Sequence, residues 1–313
     1  MKLAIIFSAM VLGLLYGHLY YGFLFSSKIC LFAGLTLIMP TLFKVKLTDV
    51  KLLYTYKHVM FKGFLVNFIA LPIIAALIGL ATGDFGIAAG LFLLSVLSGG
   101  GMVMHWIKTA KADVSLGFLL LLVNLLSVSL SLFMLHYFGI YSSEYFNESY
   151  LDGPNMGSFA KGILILLIVV PFIASRVIIF IKPLQEFIEN QKSIISNVSI
   201  FLIIFYLFAL QNSQTLFEIY DFEPELIYIS FFAVVAFYTA IYFVSVRVYD
   251  KNSPQERAAF WHTVTRYITL ALVISTFSIG TFGSSMLLPI MFAYVIQIPF
   301  SAKVSQQQQK ELS

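Results

Sequence analysis

The chain has 313 residues, of which 60% are hydrophobic and 11% charged, with a net charge of +4 and a mean hydropathy of +0.93. Soluble domains carry about 25% charged residues, so this composition excludes a soluble globular protein. Cys30 is the single cysteine, which excludes an internal disulfide and a multi-thiolate metal site, and the scattered basic residues exclude a nucleic-acid patch.

Apolar stretches long enough to cross about 30 Å of hydrocarbon recur from end to end. In chain order they predict ten membrane-spanning helices, at 3–26, 29–46, 59–82, 86–108, 114–139, 159–181, 194–211, 225–247, 256–280 and 284–303. The first run passes directly into further spans without a small-residue cleavage site, so it is expected to remain as a span. "LTDVKLLYTYKHVM" (47–60) reads as a basic interfacial helix, and "SQQQQKELS" (305–313) as a disordered tail. Pro40, Pro72, Pro171, Pro289 and Pro299 mark kinks whose freed carbonyls need other partners.

Charge sorts by loop. Lys44, Lys46, Lys51 and Lys57 lie between spans two and three, Lys108 and Lys111 between four and five, Lys182 and Lys192 between six and seven, and Arg247 and Lys251 between eight and nine. The alternate loops hold Asp84, then Glu144, Glu148 and Asp152, then Glu218, Asp221 and Glu223. Positive loops face the cytoplasm, so both termini are expected inside, in a bacterial inner membrane. Ten spans divide into two five-helix repeats, 1–140 and 159–304, and an odd number per repeat makes them inverted.

Each half carries one interruption. "LSVLSGGGMVMHW" (94–106) puts Gly99, Gly100 and Gly101 inside span four, at a cost of roughly 1 kcal/mol each relative to alanine in a helix. Its counterpart, span nine, holds the polar stretch "HTVTRYIT" (262–269). Non-helical backbone at membrane depth is tolerated where protein or a water-filled cavity covers it, and carriers aim such breaks at solute. A small-residue packing face is the alternative, compatible with the first. The expected fold is therefore all-α and polytopic, with broken helices four and nine crossing at mid-membrane.

Several segments resemble the bile acid:sodium symporter superfamily, and its arsenical-resistance efflux branch most. They are "GLTLIMPTLFKVKLTDV" (34–50), "LVNFIALPIIAALIGL" (65–80), "GLFLLSVLSGGGMVMHWIKTAKADVSLG" (90–117), "VVPFIASR" (169–176), "FALQNSQ" (208–214) and "LALVISTFSIGTFGSSMLLPIMFAYVIQIPF" (270–300). The resemblance implies two inverted five-span repeats, a panel and a core domain, and a transport site where the broken spans cross. It also exposes departures. Gly99 matches the cysteine that holds arsenite in the exporters, and Thr269 matches their acidic residue. Sodium-ligand positions fall on Val103, Met104, Gly117, Leu121, His262 and Arg266, which cannot hold a hard cation.

Arg266 lies about ten residues into span nine, where a charge costs about 2.5–3.5 kcal/mol on insertion scales. It is expected to border a solvated cavity within reach of 98–101 and bind an anion, or to stand in for sodium as a fixed charge. His262 shares its helical face and serves as either a proton-coupling group or a neutral hydrogen-bonding one. Candidate substrate-binding residues are Ser98, Gly99, Gly100, Gly101, His105, Asn124, His262, Thr265, Arg266 and Thr269. Asn67 reads as an interhelical hydrogen bond. No catalytic residue, metal ligand or cofactor is predicted, and no phosphate-binding loop is present. The partners are the bilayer and a small, anionic solute, with no oligomeric state implied. The leading reading is a secondary carrier without sodium coupling. The alternatives are a sodium-dependent organic anion symporter or an arsenite exporter and, in another class, a non-transporting receptor or intramembrane enzyme.

Overall fold

A computed structural model describes residues 2–24, 26, 28–43, 52–100, 102–150, 165–214, 217, 219 and 223–312. Its α-helices are α1 (Lys2–Leu19), α2 (Lys28–Ala33), α3 (Met39–Leu42), α4 (Leu52–Thr55), α5 (Lys57–Leu65), α6 (Leu71–Thr82), α7 (Phe85–Val96), α8 (Val103–Thr109), α9 (Val114–Leu126) and α10 (Val128–Ser143). They continue with α11 (Val170–Ile179), α12 (Lys182–Asn190), α13 (Lys192–Phe208), α14 (Glu225–Val248), α15 (Pro254–Val264), α16 (Ile268–Phe282) and α17 (Leu287–Leu312). Among the described residues there is no strand, only two isolated bridges.

By length and composition, three of the described helical segments are able to cross a membrane: Lys57–Thr82, Glu225–Val248 and Ser284–Gln308. The bent pairs α9–α10, at 47°, and α12–α13, at 68°, raise this to five. Ile69, Ile73 and Leu77 recur every fourth residue with exposures of 47%, 55% and 62%, an apolar stripe suited to hydrocarbon rather than water. The protein is a helical integral membrane protein.

Proline shapes three of these segments in the same way. A five-residue π-helical turn, Gly34–Ile38, Val66–Ala70 or Ile165–Val169, ends two residues before Pro40, Pro72 or Pro171. Proline donates no N–H and its ring crowds the carbonyl four residues back, and widening the preceding turn relieves that clash without ending the segment.

The chain forms two compact units, and each draws on both halves of the sequence. One comprises Met1–Leu47 and Asp152–Thr215, the other Thr48–Leu151 and Leu216–Ser313. In the first, α1 packs on α13. The expected first span stops short: the helix ends at Leu19, Tyr21 and Gly22 take φ of 61° and 66°, and Phe23 then pairs with Leu210. Arg176 donates to Leu42 O at 2.7 Å, capping the C-terminal end of α3 within the same unit.

The second unit is built around α7. Every residue from Phe85 to Val96 is buried, as a helix that is apolar all round requires, and α6, α10, α16 and α17 surround it. Asp84 caps α7 by accepting Ile87 N–H at 2.7 Å and also takes the Ser285 hydroxyl at 2.7 Å. Asp113 caps α9 and accepts the Tyr56 hydroxyl at 3.0 Å. Lys62 and Glu256 form an ion pair at 2.7 Å. The expected disordered tail differs: residues 305–312 continue α17, rich in the helix formers Gln, Lys, Glu and Leu, with Ser305 and Gln308 buried on one face. The interfacial helix expected over 47–60 falls partly outside the described residues; the described part holds α4 and the start of α5.

Candidate functional site

Two helices of the second unit stop without being finished. α7 ends at Val96 and α8 resumes at Val103; α15 ends at Val264 and α16 resumes at Ile268. The first gap follows from glycine: Gly99 takes φ +72°, a conformation costly for other residues. The second gap has no glycine. Its run "TVTRYIT" is dominated by β-branched and aromatic side chains, which favour extended backbone, and Thr265 adopts φ −93°, ψ 123°.

The gaps pair with each other. Gly99 N–H donates to Thr265 O at 2.8 Å and Tyr267 N–H to Leu97 O at 2.9 Å, which makes Ser98 and Arg266 an antiparallel pair flanked by hydrogen bonds. In such a pair the two side chains emerge on one face, close together. The outer edge of Arg266 is completed by a side chain: Gln297 Oε1 accepts Arg266 N–H at 2.6 Å, and Gln297 Nε2 donates to Arg266 O at 3.3 Å. Gln297 thus supplies what a neighbouring strand would, so the main-chain groups of Arg266 are satisfied in a buried place. Tyr238 donates to the same Gln297 oxygen at 2.8 Å and holds the amide's orientation.

Space at the junction is tight. A Cβ on Gly99 would lie 2.3 Å from His262 Nδ1, and one on Gly100 would lie 2.5 Å from Arg266 O. Both glycines are therefore required by close approach, the first also by its backbone angle. Gly101 lies outside the described residues.

Arg266 is 1% exposed. Its guanidinium donates to Ser95 O at 2.9 Å, to Asn67 Oδ1 at 2.7 Å and to Thr263 O. Ser95 and Thr263 lie in the last turns of α7 and α15, where helix carbonyls lack intrahelical donors and the macrodipole favours positive charge. Asn67 is held by its own donations to Gly63 O at 2.8 Å and Thr263 Oγ1 at 3.2 Å. Among the described residues no carboxylate is paired with the guanidinium; the ion pair found there is Lys62–Glu256.

His262 Nε2 lies 2.8 Å from Gly117 O, and a carbonyl only accepts, so Nε2 carries the proton. Nδ1 then accepts from Asn124 Nδ2 at 3.2 Å. Beside them is a cavity of about 40 Å³ lined by Asn67, Asn124, Ser127 and His262, with Phe64 and Phe68 on its apolar side. This exceeds the roughly 10–15 Å³ a cavity needs to hold a water molecule, and its polar wall offers hydrogen-bond partners.

The expected site is thus brought together in part. Ser98, Gly99, Gly100, Asn124, His262 and Arg266 converge. Arg266 does not line the cavity as expected, because helix-end carbonyls and Asn67 enclose it. The hydroxyl of Thr265 turns back to Trp261 O, leaving its main-chain carbonyl, not its side chain, at the junction. His105 is exposed, with its ring against Trp106, and the cavity does not include it. Thr269 accepts from Tyr294 at 3.0 Å on the first turn of α16. Gln297 was not expected here; its signal is an amide in the last apolar run, two residues before Pro299. The Ser95 carbonyl is a main-chain group and has no signal in sequence.

These features define a helical membrane protein whose second unit holds two broken helices paired around a buried cation. The model of the Sodium Bile acid symporter family matches residues 30–217, and the chain belongs to that family of membrane transporters. The match includes the first break and ends before the second. Among curated proteins none matches the chain.

Proposed function

We propose that the protein is a secondary carrier of a small anionic solute, working by alternating access without sodium coupling. In this reading ten spans form two inverted repeats, 1–140 and 159–304, and the paired breaks are the fourth and ninth spans crossing at mid-membrane. Both termini face the cytoplasm of a bacterial inner membrane, and the chain is a carrier, not an enzyme.

The observation that carries this reading is the Arg266 charge, buried at the junction among neutral oxygens with no carboxylate against it. The two helix ends offset part of this charge, and with no carboxylate to complete its neutralisation the remaining positive field reaches the adjoining cavity and favours an anion there. The guanidinium is not itself the solute's ligand; His262, Asn124 and Asn67 supply polar atoms at the cavity wall. Sodium coupling is disfavoured because Val103 and Leu121 are apolar and Gly117 O already accepts from His262. Arsenite is disfavoured because a cysteine at 99 would meet His262 Nδ1.

The test uses purified protein in liposomes and a panel of small carboxylate and inorganic anions, with amines of matched size as controls. Saturable uptake of at least one anion is expected, equal in sodium, potassium and choline media. Ser98→Asp sets a carboxylate on the face shared with Arg266 and is expected to lower that uptake at least tenfold in folded protein. Sodium-specific stimulation, or uptake of amines alone, overturns the proposal.

A further inference from the structure

We infer that the Arg266 guanidinium is a tethered cation filling a cation cage: three neutral oxygens that would bind a free guanidinium or sodium ion if the side chain were removed. The inference draws on the geometry of the junction, and depends on the carrier reading only for its consequence in transport.

The donor set carries the argument. Ser95 O comes from the end of α7, Thr263 O from the end of α15, and Asn67 Oδ1 from the π-helical turn Val66–Ala70. All are uncharged amide oxygens, the kind of donor that suits a hard monovalent cation or a guanidinium and gives no support to an anion. Two helix C-termini converge on the same point, so their dipoles add to its preference for positive charge. Without a cation, two helix-end carbonyls and an amide oxygen would face one another in a buried place with no donor among them.

The cage also ties together elements that are distant in sequence. Position 67 lies in the segment leading to α6, position 95 in α7 and position 263 in α15, and the guanidinium bonds to all three at once. Its planar fork allows this from one side chain, with Nε left without a partner among the described residues. Arg266 is therefore a positioning residue: it holds the ends of both broken helices in register, as a bound ion would, but cannot leave. A carrier built this way keeps its junction cation-loaded in every state and has no step at which a free cation must bind.

The experiment compares thermal unfolding of purified full-length wild type and Arg266→Ala in detergent. The variant is expected to melt several degrees lower. Millimolar N-ethylguanidinium chloride, which supplies the atoms removed, or sodium chloride against choline chloride, should raise its melting temperature and leave wild type unchanged. Absence of any rise with both cations overturns the inference, as does an equal rise in wild type. If the alanine variant cannot be isolated, Arg266→Lys and Arg266→Met decide. The lysine form should be the more stable, because it keeps a cation near the oxygens, and equal stability overturns the inference. These readouts are independent of solute, so anion uptake can fail with the cage intact. In liposomes, Arg266→Ala should transport only when one of the two cations is added.

Discussion

The two breaks that meet in the second unit are made in opposite ways. The first, between α7 and α8, exists because side chains are missing: Gly99 and Gly100 let the backbone turn and let His262 and Arg266 O approach within distances a Cβ would occupy. The second, between α15 and α16, exists because side chains are present. Gln297 holds the main chain of Arg266, and the Arg266 guanidinium holds the helix ends. A broken helix in a membrane must dispose of orphaned N–H and C=O groups. Here each break supplies main-chain partners to the other, and two long polar side chains cover what remains.

This contrast is open to direct attack. The largest effect is expected at the glycine break. Gly99→Ala combines a left-handed backbone with a Cβ 2.3 Å from His262 Nδ1 and should cost about 2 kcal/mol or more, read as a fall in melting temperature. An alanine variant as stable as wild type would mean that the first break does not depend on absent side chains. Next comes the side-chain break. Gln297→Leu leaves the Arg266 N–H, its carbonyl and the Tyr238 hydroxyl without their shared partner, at about 1–3 kcal/mol by the same measurement. A neutral result would show that the second break holds without the amide.

The smallest effect is expected at Thr265. Its hydroxyl and its own N–H both reach Trp261 O, so Thr265→Val leaves that carbonyl with a donor. The change should stay within about 1 kcal/mol and leave solute uptake unaltered. A loss of uptake in stable protein would put the Thr265 hydroxyl in the solute path, as its place in the polar stretch of the sequence suggests.

Much of the membrane character is legible in composition, because hydrocarbon imposes a coarse rule: long apolar runs, few charges, and polar interruptions only where something covers them. The glycine run and the polar stretch around Arg266 break that rule conspicuously, so both interruptions stand out in one sequence without any structure. The partnership of Arg266 does not. An arginine at depth must be satisfied, but the sequence displays side chains only, and two of its three oxygens are main-chain carbonyls. Side chains alone display no carboxylate and point to a cavity beside Arg266, whereas the ends of the broken helices offer the acceptors. Asn67 was visible as a polar residue in an apolar run, yet nothing local distinguishes an amide that bonds a neighbouring helix from one that holds a cation.

The division of the chain into compact units is likewise a tertiary decision. Hydropathy and loop charge run along the chain and divide it into consecutive repeats, but they do not say which segments pack together, and each compact unit takes segments from both halves. Periodicity and composition are local quantities, and they determined the helical, membrane-embedded class and the places where helices fail. Which failed ends face one another depends on packing between residues nearly two hundred positions apart, as Arg266 and Asn67 are. Only the folded chain decided that the buried charge is met by helix-end carbonyls, because those acceptors come into being when the helices break.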